Sequence, residues 1–280
     1  MLELDSDQYA KVSTLVDKVP FNNLFAKVVL ERKVRGRVLV DDGSSPSVCL
    51  IVHKYGMALL CGSHQNDSFN GSLRGFLMND SLNNGSARWM LCYPEPWEDT
   101  LAILLGEALT EGPVPEGLEG RGESRTRHIL KIQRVNFNFN AMTPSSKLHL
   151  PPGFVLRRID SSIYDRITGA VVPRSFWDSA EDFLKSGIGF SLLAVDQVVS
   201  TTFSSFIVGN RLELGVETHP LYRNRGLAVY AATELIDYCL SNGYEPVWAC
   251  SKDNVGSFKL ALRLGFSPST YHPYYVIPSD

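Results

Sequence analysis

The sequence lacks long apolar runs, and none approaches the ~18–20 residues that a helix needs to cross a bilayer. Its first residues, MLELDSDQYAKV, are acidic and polar, so we expect no secretory signal peptide. No block of Lys or Arg stands out, and the formal net charge is -3. This charge balance gives no electrostatic support to a nucleic-acid or membrane partner, and we expect neither.

Cysteine is scarce, and its pattern does not suggest metal binding or cross-links. The five cysteines are odd in number, widely spread and without a CxxC pair: Cys49, Cys61, Cys92, Cys239 and Cys250. Several lie in apolar runs such as SVCLIV, where cysteine acts as a small hydrophobic residue. We therefore predict reduced, buried thiols in a cytoplasmic protein, with no metal site.

The length and composition are those of a folded globular chain. Its 280 residues are enough for two ordinary domains, and 44% of them are hydrophobic and 20% charged. The segment TPSSKLHLPPG, residues 143–153, carries three prolines and predicts a domain boundary. We expect an N-terminal α/β domain over residues 1–145 and a second domain over residues 153–280.

The second half alternates between strand and helix periodicity. Its predicted order is β-α-α-β-β-β-α-β-α-β, which belongs to the α/β class with a mixed sheet and helices on both faces. Its later elements are predicted as strand Arg211–Thr218, helix Gly226–Ser241, strand Pro246–Cys250, helix Val255–Leu264 and strand Tyr274–Ile277.

The first half also alternates strands with helices. Ser68–Met78 is predicted as a helix capped by Asp67 or Ser68, and Trp97–Leu109 as another amphipathic helix. Ile129–Phe139 alternates as a strand should.

The segment LELGVETHPLYRNRGLA, residues 212–228, is the most informative part of the chain. A strand ends at Thr218, Pro220 stops it, and a helix begins within Arg223–Ala228. Free amides in the first turn of that helix, and its dipole, favour an anion such as a pyrophosphate. Gly226 permits close approach of a ligand to the backbone. The alternative is an ordinary strand–helix turn, in which the arginines only keep the surface soluble and the glycine only allows the backbone to turn.

Two signatures resemble those of one enzyme family. Arg223-x-x-Gly226-x-Ala228 matches the Arg/Gln-x-x-Gly-x-Gly/Ala signature of GNAT acetyltransferases. The segment WACSKDNVGSFKLALRLGF, residues 248–266, matches their second signature, Asn-x-x-Ser followed by Leu-Gly-Phe. The detailed pattern looks most like the GNAT subgroup that includes the zwittermicin A resistance acetyltransferase. The resemblance covers about residues 154–280 and implies a GNAT fold with a splayed central sheet flanked by helices.

The resemblance also implies acetyl-CoA as co-substrate. Amides from Asn224 to Ala228 would hold the CoA pyrophosphate, and the end of the strand at Val216–Thr218 would pair with the pantetheine arm. Asn254 would bind pantetheine with Ser257 nearby, although Asn254 could equally be a helix cap and Ser257 a small contact residue. The implied cofactor-binding residues are Val216, Glu217, Thr218, Arg223, Asn224, Arg225, Gly226, Leu227, Ala228, Asn254 and Ser257.

The catalytic residues depart from the family pattern. Leu212 and Leu214 occupy the positions where such enzymes often carry a base, so we expect Glu217, and next Glu213, to take that role. The alternative for these carboxylates is a solvent-facing residue or one salt-bridged to Arg223 or Arg225. Ala261 occupies the position of the usual tyrosine acid, so Tyr271 or Tyr275 could substitute, or either could be a core or interface aromatic.

The leading hypothesis is an N-acetyltransferase in which a small-molecule primary amine attacks acetyl-CoA directly in a ternary complex. The alternatives are a CoA-binding sensor or non-catalytic pseudoenzyme, and an acetyltransferase acting on protein amines. Residues 1–145 could be a degenerate copy of the same fold or an unrelated α/β module, with a supporting or acceptor-side role. We expect a monomer or a homodimer.

Overall fold

The computed structural model describes residues 1–79, 88–112, 128–140 and 148–278. The chain divides into two compact units. Unit 1 comprises Met1–Val135, Ser251–Asp253 and Thr270–Asp280, and unit 2 comprises Asn136–Cys250 and Asn254–Ser269. Residues 143–147 of the predicted boundary segment lie outside the described residues, so the boundary at 145–153 stays a prediction.

The described elements up to residue 140 alternate between strands and helices. Short 3-10 helices cover Ser6–Val12 and Gly106–Ala108. The strands and helices are β1 (Leu2–Glu3), α1 (Ser13–Asp17), α2 (Leu24–Leu30), β2 (Gly36–Val40), β3 (Val48–His53), β4 (Met57–Gly62), α3 (Asp67–Met78), β5 (Trp89–Tyr93), α4 (Trp97–Leu105), β6 (Leu109–Glu111) and β7 (Ile129–Phe139).

The described elements after residue 148 follow the predicted order, except that three helices rather than two lie between the first two strands. A 3-10 turn covers Pro220–Tyr222. The strands and helices are β8 (Phe154–Arg158), α5 (Ser161–Arg166), α6 (Pro173–Phe176), α7 (Ala180–Ser186), β9 (Gly189–Ala194), β10 (Gln197–Val208), β11 (Arg211–Thr218), α8 (Ala228–Ser241), β12 (Glu245–Ser251), α9 (Val255–Arg263) and β13 (Phe266–Val276). None of the helices in the described ranges is both long and apolar enough to span a bilayer.

The two units repeat one connectivity. In unit 1, β1, β2, β3 and β4 pair in antiparallel succession, and β4 pairs in parallel with β5 across the connection through α3. In unit 2, β8, β9, β10 and β11 pair in antiparallel succession, and β11 pairs in parallel with β12 across the connection through α8. The predicted mixed α/β class is confirmed, and unit 1 has the topology of a second copy of unit 2.

Each unit buries apolar residues between its sheet and its helices. In unit 1 the core joins the sheet residues Leu50 and Leu60 to Phe69 of α3 and Trp97 of α4. In unit 2 Phe203 of β10 is fully buried, and its ring lies edge-on to those of Phe176 and Phe183 from α6 and α7. The helices α6 and α7 therefore cover one face of the unit 2 sheet.

Several element ends differ from the sequence prediction for local reasons. Helix α8 begins at Ala228 rather than Gly226, because Gly226 has a φ of 69° and cannot belong to a right-handed helix. Helix α4 ends at Leu105 because Gly106 adopts a φ of 52°. Helix α3 is capped by Asn66 rather than by Asp67 or Ser68, since Asn66 Oδ1 accepts from the Phe69 amide at 3.0 Å.

The last strand also differs from its prediction. It begins at Phe266 rather than Tyr274, although it contains Pro268 and Pro273. A strand accommodates proline at positions whose N–H group makes no hydrogen bond to a neighbouring strand. The two prolines therefore made the predicted strand shorter than the observed one.

Candidate active site

The two parallel strand pairs differ in how far they stay together. In unit 1, β4 and β5 remain in register from Met57 and Trp89 to Cys61 and Tyr93. In unit 2, pairing of β11 with β12 ends at Glu213 and Val247, although both strands run on, to Thr218 and Ser251. The last five residues of β11 therefore have no strand partner on this edge, which leaves main-chain groups available to an extended ligand.

The segment after β11 is shaped to expose its backbone. We call residues 219–227 the phosphate loop. Asn224 and Gly226 both adopt left-handed backbone conformations, with φ of 61° and 69°. Leu227 is buried and packs against Leu192 and Val199, which anchors the loop at the start of α8. Residues 223–226 are exposed.

The amides of the phosphate loop are available as donors. Among the described residues, the amides of Tyr222 and Arg223 bond to His219 and Pro220, whereas those from Asn224 to Ala228 bond to no protein acceptor. They immediately precede and open the 14-residue helix α8. Free amides at the positive end of a helix dipole form a favourable environment for a phosphate group.

Glu217 lies at the end of β11 and is held from three sides. Its Oε2 accepts hydrogen bonds from the amides of Ala170 and Val171, both at 3.0 Å. Its Oε1 accepts from Arg223 Nη2 at 3.1 Å, and the side chain is 10% exposed. Oε1 also accepts from the Thr218 amide at 3.2 Å. The carboxylate thus joins β11 to the phosphate loop and to the segment between α5 and α6.

The β11 carboxylates lie on the face away from Leu212 and Leu214. An extra residue at Ser205 shifts the pairing of β10 with β11, but it lies in β10, so β11 itself keeps its alternation. Gly215, between the two glutamates, lies against the Phe203 ring on the face that α6 and α7 cover. Glu213 is 4% exposed. The geometry thus places both glutamates on the α5–α7 face of the sheet.

Asn254 and Ser257 lie together at the start of α9. Asn254 caps this helix, because its Oδ1 accepts from the Ser257 amide at 3.0 Å. The cap leaves the Asn254 side-chain NH₂ group with no acceptor among the described residues. Ser257 Oγ accepts from Trp248 Nε1 at 3.2 Å. Capping therefore uses the acceptor of Asn254 and leaves its donor for a ligand carbonyl.

Tyr271 and Tyr275 belong to unit 1, whereas the predicted base and cofactor-binding residues belong to unit 2. The Tyr271 side chain is 47% exposed, and Lys252 Nζ lies 6.0 Å from the centre of its ring. Tyr275 is fully buried, and burial, with Cys92 beside it, raises the pKa of its hydroxyl far above the ordinary value. Tyr275 is therefore held protonated within the unit 1 core.

Several other residues have structural roles. Trp177 is 7% exposed and donates from Nε1 to the Ser204 carbonyl at 2.8 Å. His219 caps the Pro220–Tyr222 turn by accepting from the Leu221 amide at 3.3 Å. Gly265 ends α9 with a φ of 90°, and Phe266 returns to the core. All five cysteines are free and buried.

Sequence reasoning missed Arg263, the last residue of α9. Its Nη1 lies 3.1 Å from the position that a β-carbon would take at Gly226. The two residues are far apart in the chain, so no local pattern could have indicated this proximity. The sequence signal for Arg263 is its place within the second signature, directly before Leu264-Gly265-Phe266.

Known proteins match the sequence over nearly its whole length. A model of the family described as GNAT acetyltransferase matches residues 14–275. The chain is 26% identical over 275 residues to the uncharacterized N-acetyltransferase YdfB of Bacillus subtilis (strain 168), an alignment that covers 98% of this chain and 97% of YdfB.

Two solved structures are similar in fold. A GCN5-related N-acetyltransferase-like protein from Streptococcus suis 89/1591 has a TM-score of 0.71 at 22% identity, covering 97% of this chain and 98% of that one. A tandem GNAT protein from the clavulanic acid biosynthesis pathway has a TM-score of 0.59 at 11% identity, covering 99% and 97%. The tandem architecture of the second agrees with the repeated connectivity of units 1 and 2.

Proposed function

The chain belongs to the GNAT acetyltransferase family, and on that premise we propose that it transfers an acetyl group from acetyl-CoA to a primary amine of a small molecule. Acetyl-CoA supplies an activated thioester; the amine nitrogen forms the new C–N bond as the C–S bond breaks and CoA departs as the thiol. The chain's own part is to hold both substrates, to stabilise the developing negative charge and to remove a proton from the amine.

One observation carries this proposal: β11 and β12 separate after Glu213 and Val247, and the chain leads from the end of β11 to five free amides at Asn224–Ala228. A pantetheine arm is extended and contains amides, so it suits the unpaired edge of β11 at Val216–Thr218. A pyrophosphate suits the amides of Asn224–Ala228. The free donor of Asn254 supports a further hydrogen bond to the same arm.

The proton-transfer residues are part of the proposal. An alkyl ammonium has a pKa near ~10.4, so it must lose a proton before it attacks. We propose Glu217 as the base and Glu213 as its alternative, with Tyr271 as the acid. Glu217 already accepts four hydrogen bonds, so an incoming amine would displace at least one of them.

A CoA-binding sensor without turnover is the second candidate. The occupied carboxylate of Glu217 favours it, together with Ala261 where the family's tyrosine acid is expected. The small-molecule acceptor is favoured over a protein amine by the resemblance to the subgroup of the zwittermicin A resistance acetyltransferase.

Titration of acetyl-CoA by calorimetry, followed by a panel of amines assayed for thiol release, separates these functions. We expect binding of acetyl-CoA and thiol release with at least one small amine. Binding without release across small amines and peptides would favour the sensor, and release with peptides alone would favour a protein acceptor. Absence of binding would contradict every version of the proposal.

Four broader expectations belong with this function. We propose a cytoplasmic location, which five free, buried cysteines support. We propose that the N-terminal domain has a supporting or acceptor-side role. We also propose that the protein acts as a monomer or homodimer and uses no metal.

A further inference from the structure

Arg263 brings a third arginine to the phosphate loop. Helix α9 begins at the Asn254 cap and ends at Arg263, whose Nη1 lies 3.1 Å from the β-carbon position of Gly226. Both residues belong to unit 2 and both are exposed. One helix therefore presents the free amide donor of Asn254 at one end and a guanidinium over the phosphate loop at the other.

The three arginines are Arg223, Arg225 and Arg263, and they differ in the groups that their side chains contact. Arg223 is paired with Glu217 at 3.1 Å, and its Nε donates to the Thr218 carbonyl at 3.0 Å. Its positive charge is thus paired with a carboxylate, and two of its five N–H donors are used within the protein. Arg225 lies over the Tyr222 ring, 5.3 Å from the ring centre, and pairs with no carboxylate in the described part of the chain.

Arg263 is the least engaged of the three. Across the described ranges its guanidinium makes no ion pair, hydrogen bond or ring contact. An arginine that makes no such contact retains its full charge and all five N–H donors. Phosphate oxygens are the acceptors that this planar group binds most effectively, often through two parallel hydrogen bonds.

We propose that Arg263 binds the pyrophosphate of the cofactor together with the amides of residues 224–228. This inference rests on the proposed function and deepens it, because it assigns the charge neutralisation at the phosphate loop to a residue of α9. Arg223 then holds Glu217 and the loop in place, and Arg263 supplies the cation that faces the ligand. Since α9 also carries Asn254, one rigid helix fixes the distance between the pantetheine donor and the phosphate cation.

A purely structural explanation for Arg263 is also testable. A cation in the last turn of a helix interacts favourably with the helix dipole. That role predicts an effect of substitution on the stability of the protein and none on its affinity for CoA. The phosphate-binding role predicts a loss of affinity for CoA and little effect on the stability of the protein.

The test compares Arg263→Gln with Lys259→Gln, which removes one positive charge from the same exposed side of α9 one turn earlier. Dissociation constants for CoA and for 3′-dephospho-CoA are measured by calorimetry at low and high salt, with thermal unfolding as a folding control. We expect Arg263→Gln to weaken both ligands by about 10-fold or more and to reduce the salt dependence of binding. Lys259→Gln should stay within about 2-fold, because its exposed ammonium lies one turn farther from the phosphate loop and solvent-exposed charges interact only weakly without direct contact. Arg263→Lys should recover part of the loss.

Three outcomes would overturn this inference. They are unchanged affinity in Arg263→Gln, an equal loss in Lys259→Gln, and a loss confined to CoA, which would place the contact on the 3′-phosphate. If the unsubstituted protein binds neither ligand, the proposed function itself fails. That result is distinguishable because it does not involve a variant.

Discussion

Glu217 and Arg223 form an ion pair in which Oε1 of the carboxylate lies 3.1 Å from Nη2 of the guanidinium. The second carboxylate oxygen, Oε2, accepts hydrogen bonds from two backbone amides in the segment between α5 and α6. A single side chain therefore connects the end of β11, the phosphate loop and a helix-connecting segment. This carboxylate either takes a proton from the amine or only holds these three parts together.

Replacing Glu217 by glutamine separates these roles. Glutamine keeps one oxygen acceptor but removes the charge and the basic site. If Glu217 is the base, we expect kcat at neutral pH to fall by about 100-fold, with recovery at high pH where the free amine needs no base. The measurement is kcat and kcat/KM across pH. Arg223→Gln, which breaks the same ion pair but keeps the carboxylate, should keep the shape of the profile. A profile of unchanged shape in Glu217→Gln would remove Glu217 from proton transfer.

Gly226→Glu should abolish CoA binding. A carboxylate at this position would lie beside the amides of residues 224–228 and repel a phosphate, at a cost of several kcal/mol, which is about 100-fold or more in affinity. The matched control is Gly243→Glu, because Gly243 has a similar φ of 74° and open space around it, away from the phosphate loop. Both variants should lose about 1–2 kcal/mol of stability from the left-handed backbone. Retained CoA affinity in Gly226→Glu would argue against the placement of the pyrophosphate.

Trp177→Phe should destabilise the protein without changing acetyl-CoA affinity. Trp177 is buried, and its Nε1 donates to the Ser204 carbonyl at 2.8 Å. Phenylalanine leaves that carbonyl unsatisfied, so the free energy of unfolding should fall by about 1–3 kcal/mol. Trp97→Phe in unit 1 is the counterpart, since Trp97 Nε1 donates to the Gly62 carbonyl at 3.0 Å. Unfolding in urea gives both values. An undiminished stability with a raised KM for the amine would instead assign Trp177 to the acceptor site.

The bounds of elements that depend on neighbouring residues in the chain could be predicted well from the sequence. Strand β11 has the predicted bounds because its alternation ends where Pro220 prevents continuation, and β7 likewise matches its predicted span. Helix α8 begins two residues later than the sequence predicts, because the sequence alone does not show that Gly226 has a left-handed backbone.

The relationships between distant segments could not be predicted. The separation of β11 from β12 after Glu213 depends on the packing of two strands that are joined in the chain by helix α8. The approach of Arg263 to Gly226 depends on the end of another helix. For the first half the sequence left two alternatives, a degenerate copy of the same fold or an unrelated α/β module, because residues 63–66, between β4 and α3, carry neither the glycine nor the arginines of the phosphate loop. The strand pairing of unit 1 supports the copy.

Hydrogen–deuterium exchange with and without acetyl-CoA tests the central claim most directly. The claim is that the free amides from Asn224 to Ala228 receive the pyrophosphate, and that unit 2 alone has the separated strands. We predict that acetyl-CoA slows exchange in residues 214–229, and that residues 61–70, the corresponding segment of unit 1, exchange unchanged. Unaltered exchange at residues 224–228 under saturating acetyl-CoA, or protection confined to residues 61–70, would contradict the account.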